Sequence, residues 1–424
     1  MHLLDDLAWR GLAYQDTNEA GLREHLAAAS RSVYSGFDPT APSLTIGNLV
    51  PLLMLVRFQR AGHKPVALLG GGTGLIGDPS GKSAERPVLD AVQVEANVER
   101  FRKTFERLLD FSGPNAVRIV NNVDWLRPLT FLEVLRDVGK HFSVNMMIQK
   151  ESVKERLNNR EQGISYTEFS YMLLQAYDFL HLFEHQQVSI QIAGSDQWGN
   201  IVAGVDLIRR LRRAETFGLT APLITKADGG KFGKTETGAV WLSPDCTSPY
   251  AFYQFWLNAD DGDVPKFLKV FTLFEHAKID ELCHAHAENP GARTAHRALA
   301  AHVTELLHGQ EGLAQAESAS QALFSGDVTG LSKELLDEVF RNAPSATIER
   351  DKLSGEGLLL IDFLVDAGAA KSKREARELL STNAILVNGR RTTAEDRISS
   401  DWLLHGEVAL IRRGKKTWHI VRAR

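Results

Sequence analysis

Apolar and polar residues follow two different rhythms along the first half of the chain. Short apolar runs, typical of buried strands, alternate with longer stretches whose apolar residues recur every three or four positions, as in helices. The predicted strands are Ser32–Phe37, Pro65–Leu69, Val117–Val120, Val188–Ala193 and Pro222–Thr225. The predicted helices are Leu49–Ala61, Val92–Leu109, Thr167–Phe183 and Asn200–Arg213. This alternation predicts an α/β fold with a Rossmann-like, doubly wound parallel sheet, which binds ligands at the carboxyl ends of its strands.

The pattern changes in the second half of the chain. Strand-like runs disappear between about residues 248 and 324, where helical stretches such as Tyr250–Leu257 and Thr294–Leu307 dominate. The segment from residue 326 to 354 is polar and mixed, which is typical of a linker. The last segment predicts, in order, helices Leu358–Ala367 and Ser372–Leu380, a strand Ala384–Val387, a turn Asn388-Gly389 and a strand Glu407–Arg412. We therefore predict an α/β domain over 1–245, an α-helical domain over 246–325, a linker over 326–354 and a small α+β domain over 355–424.

Charge is distributed unevenly, although the whole chain carries a net charge of only −4. Residues 371–424 contain 13 basic and 6 acidic residues, a net charge of +7, while the remainder carries −11. A basic module on an acidic body is suited to a polyanionic partner, although most charge runs are simply solvated surface.

The apolar runs, the N-terminal composition and the cysteine content limit which classes of protein this chain could belong to. No apolar run is long enough to span a membrane, because the richest, Leu49–Val56, is short and contains Pro51. The acidic start of the chain does not resemble a secretory signal. Two cysteines predict neither a disulfide framework nor a zinc site. We therefore expect a cytoplasmic protein.

Two glycine-containing segments follow the second predicted strand. The first is Gly70–Gly74, and the next is Gly77–Lys82. Glycines let the backbone approach a bound group closely, so a phosphate-binding loop is one interpretation. However, the phosphate loop of nucleotide kinases needs glycine where Ile76 stands, and no helical run opens directly after the glycines. Taken alone, the segment is better explained as a glycine-rich turn.

Two other segments have the composition of anion-binding loops. Thr45–Asn48 opens the first predicted helix, where free N–H groups attract phosphate, although capping by Asn48 is the commoner role. Lys231–Thr235 lies in a glycine-rich loop, and its two lysines could neutralise charge on phosphates. An ordinary surface loop is the commoner identity of such a segment.

Polar residues share one face of an otherwise apolar predicted helix. Tyr171, Gln175 and Asp178 are spaced by four and three, so they lie on the same side. A small polar ligand and a solvent-facing stripe explain this triplet equally well. The segment Cys283–His286 could suggest a metal, but it has no second ligand pair, so a solvated helix is the better explanation.

The order of these segments is more specific than any one of them. The chain presents, in order, Tyr34–Thr40, Thr45–Asn48, Gly70–Lys82, Gly139–Asn145, Ser165–Asp178, Gly194–Asn200 and Lys231–Thr235. Together they resemble bacterial tyrosyl-tRNA synthetases, which are class I aminoacyl-tRNA synthetases, over essentially the whole chain. The resemblance implies ATP-dependent attachment of L-tyrosine to tRNA(Tyr) through a tyrosyl-adenylate. It also implies ATP bound with Mg²⁺, no metal held by the protein itself, and a homodimer.

The resemblance also assigns roles by position. The tyrosine-binding residues would be Tyr34 and Asp178 at the phenol, Asp78, Tyr171 and Gln175 at the ammonium, and Asp38 and Gln197 beside them. The ATP-binding residues would be Gly36, Gly47, Asn48, Gly194, Asp196 and Lys234. The catalytic residues would be Thr40, Thr45, Asn48, Lys82, Arg86, Lys231 and Lys234. Residues 246–325 would lie on the anticodon side, 355–424 would form an RNA-binding domain similar to a ribosomal protein, and an insertion near 129–165 would form the dimer interface.

One signature departs from the family pattern. The usual His-x-Gly-His is replaced by Thr45-Ile46-Gly47-Asn48, so both histidines are missing. Asn48 is still able to donate a hydrogen bond to a ribose oxygen, whereas Thr45 is short and uncharged. The loss of one such transition-state contact costs about 2.7–4 kcal/mol, which slows a synthetase without abolishing it. The alternative hypothesis is a catalytically impaired paralogue that acts as an RNA-binding or regulatory protein; a phosphotransferase is less well supported because of Ile76.

Overall fold

The computed structural model describes residues 1–78, 90–158, 163–227, 229–230, 232–235, 238–341, 343–414 and 417–424. Its central sheet has six strands in the order β1-β6-β5-β2-β3-β4. All neighbours are parallel except β1, which pairs antiparallel with β6 at one edge. The strands are β1 (Gln15–Asp16), β2 (Ser32–Phe37), β3 (Lys64–Leu69), β4 (Arg118–Asn121), β5 (Val188–Gly194) and β6 (Phe217–Ala221).

This sheet confirms the predicted doubly wound α/β fold, but one predicted strand is wrong. The first four predicted strands agree with β2 to β5 within one residue at each end. The fifth strand is Phe217–Ala221 rather than Pro222–Thr225. Pro222 has no N–H to donate to the ladder, so the strand ends before it. Gly218 lies within this strand, and an added Cβ there would come within 2.2 Å of Cγ2 of Ile201, so the close packing of the helix against β6 requires glycine.

Helices form the rest of the first compact unit, which comprises residues 1–310. Among the described residues, no helix is both long and apolar enough to cross a membrane. The helices are α1 (Leu3–Trp9), α2 (Glu19–Ala28), α3 (Leu49–Arg60), α4 (Ala91–Leu108), α5 (Val123–Leu126), α6 (Phe131–Glu133), α7 (Val144–Ile148), α8 (Glu151–Asn158), α9 (Tyr166–Gln186), α10 (Trp198–Arg212), α11 (Pro249–Leu257), α12 (Val264–Phe271), α13 (His276–Glu288) and α14 (Thr294–Ser325). A short hairpin, β7 (Lys234–Thr235) and β8 (Gly238–Ala239), completes the unit.

Helix α9 has the clearest local origin in the sequence. The Ser165 side chain accepts a hydrogen bond from the Glu168 N–H at its N-terminus, which satisfies one of the free donors there. Gln187, at φ 55°, ends the helix in the left-handed conformation. Between these ends, one face of α9 packs into a core with Tyr34 and Val188 from the sheet. Tyr171, Gln175 and Asp178 alternate with the apolar residues of α9 along the same stretch of the helix.

The second compact unit, residues 311–424, has its own sheet in the order β12-β11-β14-β15-β9. The predicted hairpin turn is confirmed, because Asn388 and Gly389 have φ values of 47° and 80° between two antiparallel strands. The strands are β9 (Ser345–Ile348), β10 (Leu358–Leu359), β11 (Ile385–Val387), β12 (Arg390–Arg391), β13 (Arg397–Ile398), β14 (Val408–Arg413) and β15 (Thr417–Ala423). The helices are α15 (Lys333–Val339), α16 (Leu360–Asp366) and α17 (Lys373–Ser381).

The prediction of a linker over 326–354 is wrong. This segment contains α15 and β9, and β9 pairs in parallel with β15 of the C-terminal sheet. Its polar composition reflects an edge strand in which Ile348 is buried while Ser345 and Thr347 are exposed. The boundary between the two units instead falls within the span of α14, next to Gly309, which leaves helical geometry at φ 73°.

Candidate active site

A cavity of about 800 Å³ lies where the chain leaves β2, β3 and β5. This is the carboxyl end of parallel strands, where doubly wound sheets bind ligands. The predicted residues that line it are Tyr34, Gly36, Asp38, Thr40, Thr45, Gly47, Asn48, Asp78, Tyr171, Gln175, Asp178, Gly194, Asp196 and Gln197. Three other predicted residues, Lys82, Arg86 and Lys231, lie outside the described residues, and Lys234 is described only as the first residue of β7.

The deepest polar group on α9 is the carboxylate of Asp178, which is only 1% exposed. Its Oδ2 accepts a hydrogen bond from Asn122 Nδ2 at 2.9 Å, and its Oδ1 accepts one from Trp125 Nε1 at 2.8 Å. Burial raises the pKa of Asp178 to about 7, although both hydrogen bonds oppose this shift. The triplet on α9 is therefore not a solvated stripe.

Tyr34 lines the same cavity from β2. Its hydroxyl is buried and has no hydrogen-bond partner among the described residues. Burial raises the pKa of Tyr34 well above its usual value, and the negative charge of Asp178 adds to this effect. A buried hydroxyl without a partner is costly, so Tyr34 and Asp178 together are suited to a ligand that both donates and accepts a hydrogen bond.

A second polar cluster lies nearer the ends of β2 and β3. The Tyr171 hydroxyl donates to Asp38 Oδ2 at 2.7 Å, and the Thr73 hydroxyl donates to Asp38 Oδ1 at the same distance. Gln197 Nε2 donates to Asp78 Oδ2 at 2.6 Å. The Oε1 atom of Gln175 is buried without a partner among the described residues. Carboxylates and an unpaired carbonyl oxygen make this part of the cavity suitable for a cation such as an ammonium group.

Two glycines allow the chain to fold closely around the cavity. At Gly70, a side chain would collide with the Asp38 carboxylate and the Thr73 hydroxyl. At Gly194, an added Cβ would lie 2.6 Å from Asp196 Oδ1. Glycine is therefore needed at both positions so that the carboxylates remain beside the strand ends.

Sequence reasoning missed several residues of the site. Asn122 and Trp125 hold Asp178, and Thr73 holds Asp38. Gln191 lines the cavity from the middle of β5, and its buried Oε1 has no partner among the described residues. Two signals were present in the sequence: Asn122 comes two residues after the predicted strand Val117–Val120, and Gln191 interrupts an apolar strand.

A second cavity, of about 750 Å³, adjoins the first, and both are lined by Asp196 and Leu223. Met146, Met147 and Trp198 give it an apolar wall. The Lys150 Nζ atom, which is buried without a hydrogen-bond partner among the described residues, also belongs to this cavity. Burial lowers the pKa of Lys150 to about 7, against the attraction of Asp78.

The histidines near Cys283 are arranged differently from the sequence pattern. His286 lies with His296 and Asp261 rather than with its sequence neighbours. A hydrogen bond of 2.9 Å joins His286 Nε2 to the Asp261 carbonyl, and one of 3.1 Å joins His296 Nε2 to the Ala259 carbonyl. These contacts join α13 and the start of α14 to the loop before α12.

Comparisons with known proteins agree with this geometry. Residues 27–325 match the family of class I tRNA synthetases for tryptophan and tyrosine, and residues 336–421 match the C-terminal domain of SYY-like tyrosine--tRNA ligases. The chain is 50% identical over 428 residues to the tyrosine--tRNA ligase of Roseiflexus castenholzii, with 99% of each chain covered. It is 51% identical over 425 residues to that of Geobacillus kaustophilus, with both chains fully covered.

A solved structure extends the comparison to the fold. The C-terminally truncated mitochondrial tyrosyl-tRNA synthetase of Coccidioides posadasii matches with a TM-score of 0.66 at 32% identity. The match covers 75% of this chain and 91% of that one. The similarity in sequence thus extends across both compact units. The chain therefore belongs to the tyrosine--tRNA ligase family of class I tRNA synthetases.

Proposed function

We propose that this chain attaches L-tyrosine to tRNA(Tyr) at the expense of ATP, through a tyrosyl-adenylate intermediate. The observation that carries the proposal is the buried pair Tyr34 and Asp178 at the closed end of an ammonium-compatible cavity. The tyrosine phenol would donate to Asp178 and accept from the Tyr34 hydroxyl. Phenylalanine would leave both groups unpaired and buried, which is the basis of discrimination.

The remaining polar groups would orient the amino acid. The tyrosine ammonium would lie among Asp78, Tyr171 and Gln175, while Asp38 and Gln197 hold two of these groups in place. The Oε1 atom of Gln175, which is buried without a partner among the described residues, would accept a hydrogen bond from the ammonium. In this arrangement the tyrosine carboxylate would face the bound nucleotide.

ATP, as its magnesium complex, is the second substrate. Gly36, Gly47 and Gly194 would leave room for the nucleotide, and Asp196 and Asn48 would bind the ribose. Thr40 would contact the pyrophosphate. The proposed cations Lys82, Arg86, Lys231 and Lys234 would neutralise the charge that develops on the phosphates.

The chemistry then takes two steps in one site. The tyrosine carboxylate attacks the α-phosphate, the bond to pyrophosphate breaks, and tyrosyl-adenylate forms. A terminal ribose hydroxyl of tRNA next attacks the activated carbonyl carbon and AMP leaves. No general base is needed for the first step because the carboxylate is already an anion, so positioning and electrostatics supply the catalysis.

The second cavity is the place we assign to the tRNA acceptor end. It meets the first cavity at Asp196, so a terminal nucleotide held there would have its ribose next to the adenylate. Trp198 offers a ring for base stacking, and a backbone phosphate beside the buried Lys150 amine would raise its lowered pKa and favour the charged form. The basic C-terminal unit would bind another part of the same tRNA. We place this reaction in the cytoplasm, together with its substrates.

We also infer that the chain works as a homodimer through the segment 129–149. The side chains of Phe131, Leu132 and Val144 are between 56% and 76% exposed, which is a high exposure for three large apolar residues of one short segment. Substitution of Phe131 and Leu132 by aspartate should produce monomers in sedimentation or light-scattering measurements. Val92, on α4 and 77% exposed, is the control site, and its substitution by aspartate should leave the assembly unchanged.

Tyrosine-dependent exchange of pyrophosphate into ATP tests the proposed activity. The expected result is exchange that requires tyrosine, followed by transfer of tyrosine to tRNA(Tyr) when the RNA is added. Binding of tRNA without any exchange at high protein concentration would instead support the regulatory paralogue. Transfer of phosphate to a small acceptor would support the phosphotransferase alternative.

A further inference from the structure

The altered signature Thr45-Ile46-Gly47-Asn48 forms a hydrogen-bonded unit. Asn48 Oδ1 accepts two hydrogen bonds, one of 3.0 Å from the Thr45 backbone N–H and one of 2.9 Å from the Thr45 hydroxyl. The Asn48 N–H in turn donates to the Thr45 carbonyl at 2.9 Å. Thr45 thus makes all three contacts with Asn48, within one turn of 3₁₀ helix.

These contacts decide which way the Asn48 amide faces. A backbone N–H is only a donor, so the amide atom next to it has to be the oxygen. The Nδ2 group is then the part of Asn48 left to donate to a ligand, and Asn48 lines the first cavity. Its two N–H groups therefore have a defined direction before any nucleotide binds, which lowers the entropic cost of binding.

Thr45 is itself held in place by the segment after the β7–β8 hairpin. It forms an isolated antiparallel bridge with Trp241, flanked by hydrogen bonds from the Ile46 N–H to the Val240 carbonyl and from the Leu242 N–H to the Leu44 carbonyl. The Thr45 N–H and hydroxyl, which orient Asn48, are therefore held in place by main-chain hydrogen bonds of the residues before and after Thr45.

We propose that Thr45 is a positioning residue whose hydroxyl orients the Asn48 amide toward the nucleotide, rather than a phosphate contact. This proposal rests on the proposed function, because it needs Asn48 to act in adenylate formation. It explains how the chain keeps a donor at position 48 without the two histidines of the usual signature. Thr45 and Asn48 should consequently behave as one unit and not as two independent catalytic groups.

A double-mutant cycle on the full-length protein tests this inference, with the rate constant of tyrosyl-adenylate formation as the readout. Thr45→Val removes the hydroxyl but keeps the shape and the backbone N–H, so the rate should fall about three- to ten-fold, as expected for one hydrogen bond. Thr45→Ser should restore the rate to within about twofold, because it returns the donor. In an Asn48→Ala background, Thr45→Val should have no further effect.

Three results would overturn the inference. Equal losses from Thr45→Val with and without the Asn48 amide would mean that Thr45 contacts the nucleotide directly. A rate for Thr45→Val equal to that of the parent protein would mean that the hydroxyl has no role. A matching loss of tyrosine affinity, measured by equilibrium binding, would mean that Thr45 only supports the fold.

If the parent protein itself forms no adenylate, the proposed function fails, and this outcome is distinct from the other three. Thr45→Ala repeats the cycle if the valine variant does not fold.

Discussion

The carboxyl group of Asp178 shows what burial of a functional charge costs. Burial raises its pKa to about 7, whereas an unfolded chain releases this proton near pH 4. Between these values the folded protein holds a proton that the unfolded chain has lost, so this group lowers stability as the pH rises. Asn122 and Trp125 limit the cost by donating to both carboxylate oxygens. The site therefore gives up some stability at neutral pH to keep an anionic acceptor.

This pKa predicts a pH dependence of tyrosine binding. Below pH 7 the carboxyl of the empty site is largely protonated and is a weaker acceptor for the phenol, so the Kd for tyrosine should rise up to about tenfold per pH unit. Above pH 7 the Kd should level off. Calorimetry between pH 5.5 and 8 measures the profile, and the Asp178→Asn variant, which cannot titrate, should give a flat one. A flat profile for the unmodified protein would contradict the assignment.

Specificity provides a second prediction for the same residue. Asp178→Asn should lower kcat/KM for tyrosine by roughly ten- to a hundredfold, the range of a hydrogen bond to a charged group. The value for phenylalanine, which makes no such bond, should change far less. Pyrophosphate exchange with each amino acid measures both values, and the KM for ATP serves as the control. Equal losses for tyrosine and phenylalanine would exclude Asp178 from phenol recognition.

At the scale of elements, hydrophobic periodicity predicted β2 to β5 and the shared face of Tyr171, Gln175 and Asp178 correctly. It could not decide between a ligand site and a solvated stripe. The groups that settle this question, Asn122 and Trp125, lie 56 and 53 residues away along the chain from Asp178. Both residues follow β4, which is placed in the sheet by its pairing with β3, and a contact over that distance in sequence cannot be deduced from local periodicity.

The packing of α9 against α10 gives an element-scale prediction. At Gly204 of α10, an added Cβ would lie 2.9 Å from Cδ1 and 3.1 Å from Cβ of Phe179. Gly204→Ala should therefore lower the free energy of unfolding by about 1–3 kcal/mol and raise the Kd for tyrosine, because overpacking moves α9 and its polar triplet. Denaturant unfolding and calorimetry measure the two effects.

Gly199→Ala on the same helix is the matched control. Its Cβ would meet Cδ, Cε and Nζ of Lys150 at 3.2, 3.3 and 3.5 Å, all of them near the far end of a flexible side chain that is able to shift. Both substitutions gain the same helix propensity, so the difference between them isolates the packing term. Equal stabilities for the two variants would show that the contact with Phe179 relaxes without cost.

At the scale of the molecule, composition identified the basic segment 371–424, but it did not show that the second compact unit begins at residue 311. The segment 326–354 has the polar composition of a linker, yet β9 completes the sheet of the second unit. Short edge strands bury one residue in two or fewer, so they leave a weak apolar signal. Long-range parallel pairing of this kind cannot be deduced from local sequence patterns.

The two possible boundaries predict different truncation products. A chain ending at Ser325 keeps the whole family match of residues 27–325 and omits every strand of the second sheet. It should fold, form adenylate within about threefold of the full-length rate, and lose at least tenfold in kcat/KM for tRNA, because we propose that the basic second unit contacts the RNA phosphates and such contacts supply a large share of the affinity. A chain ending at Ser354 keeps β9 but lacks β15, the strand with which β9 pairs in the described part of the second unit. The unpaired edge should make that longer product the less soluble of the two, since exposed strand edges promote aggregation.

Size-exclusion chromatography and thermal unfolding compare the products, and pyrophosphate exchange with tRNA charging compares their activities. If the chain ending at Ser354 were the better behaved, residues 326–354 would be a linker after all; if adenylate formation failed in both, the second unit would take part in the first step of the reaction.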